Sequence, residues 1–446
     1  MNILALLQTL NSQLTGTTMR QMSLIIQAML AMTGRVTMLN ISRWAGEGGN
    51  YRTIQRFFHS HIAWARVFGL FFRQYFLWAK EEYILAGDGV VVSKAGKHTF
   101  GLDRFFSSLV QRAIPGLEFL VFSLVAVMEK HSYPLMMEQI VRTAEEKAAA
   151  RSKAEKRKKK SKDSTPGKRG RPKGSKNKNK QDVTLNPELQ QLKKMLETLL
   201  AMIGEWLTIR YLALDGHYGH NAAMQMTLSC GLHLISKLRS DAGLYIPYVG
   251  SDKRKKYGDK IAYHNLPDRF LQSCTVEDEM ETRIYQAELL NKEFSQALNV
   301  VIIVKTNLTT QSHAHVVLFS SDLTLSAEIV IAFYSLRFQI EFNFRDAKQF
   351  WGLEDFMTVS QTAVTNSANL SLFMVNLTHL LLKQARQSDP LFSVLDLKAQ
   401  SRGYLYMNEM IKMLPQKPDN ILVSQLFAKV AALGRIHAPE TAPVLI

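Results

Sequence analysis

The chain has 446 residues, 46% of them hydrophobic, which is enough for two or three domains with apolar cores. Its formal charge of +17 indicates a polyanionic partner such as a nucleic acid. Two cysteines are too few for a zinc site or a disulfide framework, and no apolar stretch is long enough to span a membrane. We therefore expect a cytoplasmic protein.

The first 80 residues are predicted to be helical. After an apolar helix at 22–33, two short helices flank a glycine-rich turn at 46–50, and the second carries Arg52 and Arg56 on one face. This shape is typical of a helix-turn-helix, in which the two arginines would read a DNA groove. An ordinary helical bundle fits the same pattern.

Two apolar runs each carry one aspartate. YILAGDGVVV contains Asp88, and TIRYLALD ends on Asp215, which is followed by Gly-His-Tyr. Both runs are predicted to be strands. An aspartate is hard to bury in a strand unless it is paired or binds a metal, so both are candidate functional residues. Asp215 could also be a turn former beside its glycine.

The positive charge is concentrated in one tract. Residues 142–180 contain 17 Lys and Arg against four acidic residues, a net +13 that leaves only +4 for the rest of the chain. With almost no apolar residues the tract cannot form a core, and we expect it to be disordered without a partner. Its Lys168-Arg169-Gly170-Arg171-Pro172-Lys173 segment resembles an AT-hook, which lies in the narrow minor groove of A·T-rich DNA. A nonspecific basic linker is the alternative.

A helix with one polar face is predicted from Ile331 to Trp351. Its polar residues stand at offsets of three, seven and fourteen, within a sector of about 60°: Tyr334, Arg337, Glu341 and Lys348. Apolar residues cover most of the remaining circumference, so this helix should be largely buried: Phe333, Leu336, Phe338, Ile340, Phe342 and Phe344. Glu341 could alternatively serve only as an i,i+4 ion-pair partner of Arg337 or Arg345.

The spacing Tyr-x2-Arg-x3-Glu-x6-Lys resembles the signature of bacterial insertion-sequence DDE transposases of the YREK group, in the insertion-sequence-four family. The resemblance extends over about residues 25–385 and implies an α/β fold with an RNase H-like mixed-sheet core, a β-rich insertion and helical flanks. The implied organisation is 1–80 helical DNA-binding domain, 81–141 first part of the core, 142–184 disordered basic AT-hook-like linker, 185–238 second part of the core, 239–324 β-rich insertion, 325–360 catalytic-glutamate helix and 361–446 C-terminal helical region.

The same resemblance implies a function. Asp88, Asp215 and Glu341 would bind two Mg²⁺ ions, which Mn²⁺ could replace, and would catalyse water attack on DNA followed by attack of the freed 3′-hydroxyl on target DNA. The expected DNA contacts near this site are Tyr334, Arg337, Lys348 and Lys94. The implied partner is double-stranded DNA, both the terminal inverted repeats and the target, bound by a homodimer associated with the nucleoid. Two alternatives are a domesticated, noncatalytic DNA-binding protein and a two-metal structure-selective nuclease.

Overall fold

The computed structural model describes residues 3–107, 110–148, 152, 179–252, 254–416 and 419–437. The AT-hook-like segment, with Lys168, Arg169, Arg171 and Lys173, lies outside the described residues. Within the described residues, helical regions at both ends flank a mixed sheet of twelve strands. The predicted α/β class is therefore confirmed, and the arrangement is consistent with an RNase H-like core.

Three of the five N-terminal helices begin at side-chain caps. The five helices are α1 (Ile3–Leu7), α2 (Gly16–Ala31), α3 (Met38–Trp44), α4 (Tyr51–Phe58) and α5 (Trp64–Tyr75). Thr15, Thr37 and Asn50 each accept a backbone N–H of the helix that follows, which satisfies donors left free in the first turn. Arg52 and Arg56 are exposed on α4, as the sequence predicts.

The opposite face of α4 is attached to the rest of the molecule. Ile54, Phe57 and Phe58 are buried there. The amide of Asn366 donates to the carbonyl oxygen of Phe58 at 2.9 Å, and its side-chain oxygen accepts from the indole of Trp64 at 2.8 Å. The exposed arginine face of α4 is therefore held in a fixed orientation by a buried polar contact.

The first part of the sheet is antiparallel. It consists of β1 (Tyr83–Ser93), β2 (Asp103–Ser107), β3 (Arg112–Ala126) and β4 (His131–Ile140), with β3 pairing to each of the other three. After helix α6 (Pro187–Ile203), β5 (Tyr211–Leu214) pairs parallel to β1. Helix α7 (Asn221–Ser229) then leads to β6 (His233–Leu238), which pairs parallel to β5.

The β-rich segment continues the same sheet. Its strands are β7 (Leu244–Pro247), β8 (Tyr257–Lys260), β9 (Leu271–Glu277), β10 (Met280–Asn291), β11 (Leu298–Asn307) and β12 (His313–Ser320). β12 pairs with β6, so the order is β2-β3-β1-β5-β6-β12-β11-β10-β7-β8, with β4 beside β3 and β9 beside β10. The strands between the second aspartate and the glutamate are therefore joined to the core by backbone hydrogen bonds.

The C-terminal part is helical: α8 (Ala327–Leu336), α9 (Gln339–Trp351), α10 (Gln361–Ala385), α11 (Val394–Met413) and α12 (Asn420–Ala432). α10 is buried along most of its length and contacts α4, α5, α9 and β4. It is the central helix that joins the N-terminal helices to the sheet. Among the described residues, no helix combines the length and apolar character needed to cross a bilayer.

The single helix predicted for Ile331–Trp351 is wrong in two respects. It is interrupted at Arg337 and Phe338, where Ile340 N–H bonds to the carbonyl of Arg337, an i to i−3 contact that tightens the turn. Phe338 and Phe342 are also exposed, at 48% and 37%. The two rings pack edge to face, 5.5 Å apart, on an outer surface that the apolar pattern alone would place in the core.

Candidate active site

Asp88 and Asp215 lie next to each other because β1 and β5 are parallel. Gly87 is opposite Leu214, and the two aspartates are the next residue on each segment. The close approach depends on Gly87: a Cβ there would lie 2.7 Å from Leu214 Cδ2 and 2.8 Å from Phe122 Cε1. A glycine before Asp88 thus lets the second aspartate strand pack against the first.

Local hydrogen bonds orient both aspartates. Asp88 Oδ1 accepts from the N–H of Gly89 at 2.8 Å. Asp215 Oδ1 accepts from the N–H of His217 at 3.1 Å and caps the short 3₁₀ turn that follows. The hydroxyl of Ser236 on β6 donates to the carbonyl of Asp215 at 2.7 Å, so its backbone is held from the neighbouring strand.

Arg337 connects Asp88 to Glu341. Its Nη1 lies 3.0 Å from Asp88 Oδ2, and its Nη2 lies 3.3 Å from Glu341 Oε1. The Arg337 side chain is 12% exposed, and its guanidinium carbon lies 5.8 Å from the ring centre of Tyr334, while its Nε has no partner among the described residues. The i,i+4 pair expected as the alternative exists, but the same arginine also reaches across to Asp88.

The electrostatics of Asp88 show that the three carboxylates are neighbours. Burial raises the pKa of Asp88 to about 6, although Arg337 and the Gly89 N–H both oppose the rise. The negative charges of Asp215 and Glu341 contribute to the raised pKa, but less than burial does. Burial therefore keeps the Asp88 carboxyl hard to ionise even beside an arginine.

The comparison with known families agrees with this geometry. The family model described as DDE superfamily endonuclease matches residues 9–288. The chain belongs to this family. No curated protein matches the chain.

Membership of the DDE superfamily endonuclease family indicates a nuclease- or transposase-type function on DNA that uses divalent metal ions. The match covers Asp88 and Asp215, and it ends before Glu341. Glu341 remains a prediction from the spacing of its segment, and in the structure it contacts Arg337, which also contacts Asp88.

The donor atoms suit a hard divalent cation. Carboxylate oxygens are the ligands that Mg²⁺ prefers, and the charges of Asp215 and Glu341 oppose the ionisation of Asp88. Across the described residues, no three His, Cys, Asp or Glu side chains form a cluster ready to hold a metal. The guanidinium of Arg337 bonds to both Asp88 and Glu341 and supplies positive charge between these two carboxylates.

Two predicted DNA contacts, Lys348 and Lys94, hold the loop that follows α9. Lys348 Nζ donates to the carbonyl of Val91 at 3.0 Å and lies 2.9 Å from Glu354 Oε1. Lys94 Nζ donates to the carbonyls of Glu354 and Phe356, both at 2.9 Å, and burial lowers the pKa of Lys94 to about 8. Both ammonium groups therefore attach the loop to the end of β1.

The structure adds a group beside Asp215 that sequence reasoning missed. Glu188 on α6 lies 3.5 Å from His217 Nε2 and accepts from the hydroxyl of Tyr218 at 2.7 Å. The hydrogen bond to Glu188 raises the pKa of His217. The Asp-Gly-His-Tyr sequence indicated His217 and Tyr218, but Glu188 could not be found because its contact depends on how α6 packs.

The predicted site residues fall into three groups. The structure brings together the three carboxylates, Arg337 and Tyr334 beside the end of β5, whereas Lys348 and Lys94 lie at the C-terminal end of β1. Arg52 and Arg56 lie on α4 in the N-terminal helical region. The arginines and lysines of the AT-hook-like segment lie outside the described residues.

Proposed function

We propose that the protein is a cut-and-paste DNA transposase of the YREK group. It binds the terminal inverted repeats of an insertion sequence, cuts the DNA strands, and joins the 3′-hydroxyl ends to target DNA. The observation that carries the proposal is the placement of Asp88 and Asp215 side by side on parallel strands, with Glu341 joined to them through Arg337.

The carboxylates have the donor chemistry this reaction requires. Asp88, Asp215 and Glu341 would hold two Mg²⁺ ions, or Mn²⁺ in their place, and ions bound there supply positive charge to the attacking and leaving oxygens. Arg337 orients Asp88 and Glu341, and its planar guanidinium suits a phosphate oxygen pair. Tyr334, packed against Arg337, supplies a phenolic hydroxyl at the same edge.

The lysines and the loop after α9 shape the DNA side of the site. Lys348 and Lys94 each bind a backbone carbonyl, and their positive charges also attract phosphate at the end of β1. Through these contacts the carboxylate edge and the loop at 352–360 form one rigid surface. A rigid surface keeps the scissile phosphate in register with the catalytic groups.

Recognition of the element would use the remaining basic segments. The exposed Arg52 and Arg56 of α4 would read the terminal repeats, and the tract around Arg169 and Arg171 would grip A·T-rich DNA. Because an element has two ends to cut and join, a homodimer is the simplest active assembly.

Strand joining tests this function. The purified chain is mixed with a supercoiled plasmid, Mg²⁺ and one of two duplexes: one ends in the element's own terminal repeat and reports joining, and the other carries flanking DNA beyond the repeat and reports cleavage. Joined products are expected when the terminal strand carries a 3′-hydroxyl and not when it ends in a 3′-dideoxynucleotide. Absence of both cleavage and joining would contradict the proposal.

The family description, which names an endonuclease, favours one alternative. A two-metal structure-selective nuclease would use the same three carboxylates and would cut branched or flapped DNA. Cleavage without joining in the plasmid assay would identify this function. A noncatalytic, domesticated DNA-binding protein would bind the repeats and neither cut nor join them, although the chain retains all three carboxylates.

A further inference from the structure

Aromatic and basic side chains lie close together where the β7–β8 hairpin meets the end of β10. The rings of Tyr245 and Tyr257 pack edge to face at 5.5 Å, and the ammonium of Lys292 lies 4.5 Å and 5.8 Å from their centres. Lys255 lies 5.6 Å from the ring of Tyr248. We call these five residues the tyrosine–lysine surface.

The surface is strongly basic. Residues 252–260 contain five Lys or Arg against two aspartates. Lys255, Lys256, Lys260 and Lys292 are exposed, and no carboxylate of the described residues lies within ion-pair distance of them. Their charges are thus available to an external anion, while the tyrosine rings hold Lys255 and Lys292 in place.

The basic tract ends against the same surface. Lys180 Nζ donates to the carbonyl of Lys292 at 2.5 Å and to that of Phe294 at 3.4 Å. The amide of Asn221 donates to the carbonyl of Lys180 at 2.7 Å. The end of the most basic segment in the chain is therefore fixed directly beside the tyrosine–lysine surface.

We propose that the tyrosine–lysine surface binds the phosphate backbone of duplex DNA and continues the DNA contact of the basic tract. This inference rests on the proposed function for the identity of the polyanion. Duplex DNA is favoured over a single strand because lysines lie over the tyrosine rings, whereas single-strand binders present open ring faces for bases to stack on. Ordered ammonium groups suit the regularly spaced phosphates of a duplex.

The sheet sets the distance of this surface from the catalytic carboxylates. β8 is seven strands from β1 in the sheet order, which corresponds to about 30 Å at a strand spacing of about 4.8 Å. At about 3.4 Å per base pair, a duplex needs about ten base pairs to reach from the tyrosine–lysine surface to the catalytic carboxylates. A probe of about 40 base pairs is therefore long enough to touch both.

The test measures duplex affinity against salt concentration, in EDTA so that no strand is cut. The double variant Lys255→Gln, Lys292→Gln is compared with a control, Lys194→Gln, Lys429→Gln, which removes the same charge from exposed helix positions. We expect the surface variant to lower the slope of log affinity against log salt by about two and to weaken binding roughly tenfold at about 0.15 M salt. The control should leave the slope nearly unchanged.

Three outcomes would overturn this inference. One is a surface variant with the same slope as the control. Another is a variant that loses more affinity for a single strand than for the duplex of equal length, which would assign the surface to unpaired DNA. The third is a wild-type chain with no salt-dependent duplex affinity, which would also contradict the proposed function. If the wild-type chain cleaves terminal-repeat DNA in a separate assay with Mg²⁺ while the surface variant keeps the slope of the control, the first outcome refutes this inference and leaves the proposed function standing.

Discussion

Replacing Arg337 should destabilise the protein in a pH-dependent way. In Arg337→Ala, Asp88 loses a contact of 3.0 Å made by a guanidinium that is 12% exposed. Breaking one partner of such a buried pair costs about 3 kcal/mol. The second contact, to the 41% exposed Glu341, adds only a few tenths of a kcal/mol. The expected loss in unfolding free energy near pH 8 is therefore about 3 kcal/mol.

The loss should shrink at lower pH because Asp88 can become neutral. The folded pKa of Asp88, about 6, already lies above its ordinary value of 3.8, so its ionisation costs stability as pH rises through about 6. Without Arg337 the pKa of Asp88 rises further. Each added pKa unit makes the loss of unfolding free energy at pH 8 larger than the loss at pH 5 by about 1.4 kcal/mol. Near pH 5, where the Asp88 carboxyl is mostly protonated, the loss of unfolding free energy should be only about 1 kcal/mol.

The assay is urea unfolding of the metal-free protein in EDTA at about pH 5 and pH 8. Arg345→Ala is the matched control on the adjoining helix α9, because Arg345 is exposed and its ion pair among the described residues is with its neighbour Asp346 at 2.9 Å. The control should change stability by less than about 0.5 kcal/mol at either pH. An equal loss of unfolding free energy for Arg337→Ala at both pH values would refute the view that Arg337 compensates the charge of Asp88.

Three further predictions follow from single contacts. Gly87→Ala should cost about 1–3 kcal/mol in urea unfolding, because the new Cβ would lie 2.7 Å from a leucine methyl, whereas Gly16→Ala, with no atom within 4 Å, should be nearly neutral. Burial lowers the pKa of Lys94 in the folded protein to about 8, so the folded state loses this proton at lower pH than the unfolded chain does. The wild type should therefore gain stability between about pH 8 and pH 10 relative to Lys94→Met. Parallel plots of stability against pH for the two proteins would contradict the burial of the Lys94 ammonium. Changing Arg169 and Arg171 to Ala should lower affinity for A·T-rich duplexes more than for G·C-rich ones, and equal losses would favour a nonspecific linker.

Local chemistry accounts for what the sequence could predict. Asp88 and Asp215 were identifiable as candidates because an aspartate at an apolar strand needs a compensating partner, and the Glu341 segment because four polar residues recur at helical spacing. The α/β class followed from the resemblance carried by the Tyr-x2-Arg-x3-Glu-x6-Lys spacing. In each case the information lies within one apolar run or one helical segment.

Tertiary packing determines what could not be predicted. Arg337 meets Asp88 across 249 positions of sequence, and no spacing rule favours that contact over the i,i+4 pair with Glu341. Glu188 reaches His217 only because α6 packs beside the end of β5. Lys94 is fixed by carbonyls of the loop after α9, so its burial depends on a segment about 260 residues away.

The central claim is that three carboxylates form one catalytic site for DNA cleavage. The most direct measurement compares metal-dependent cleavage of terminal-repeat DNA by Asp88→Asn, Asp215→Asn and Glu341→Gln with that of the wild type, with DNA affinity measured in parallel. Asp346→Asn is the control, since Asp346 pairs with Arg345 and not with Arg337. All three variants should lose cleavage and keep nearly normal binding, while the control keeps both. Full metal-dependent cleavage by any one of the three carboxylate variants would contradict the account.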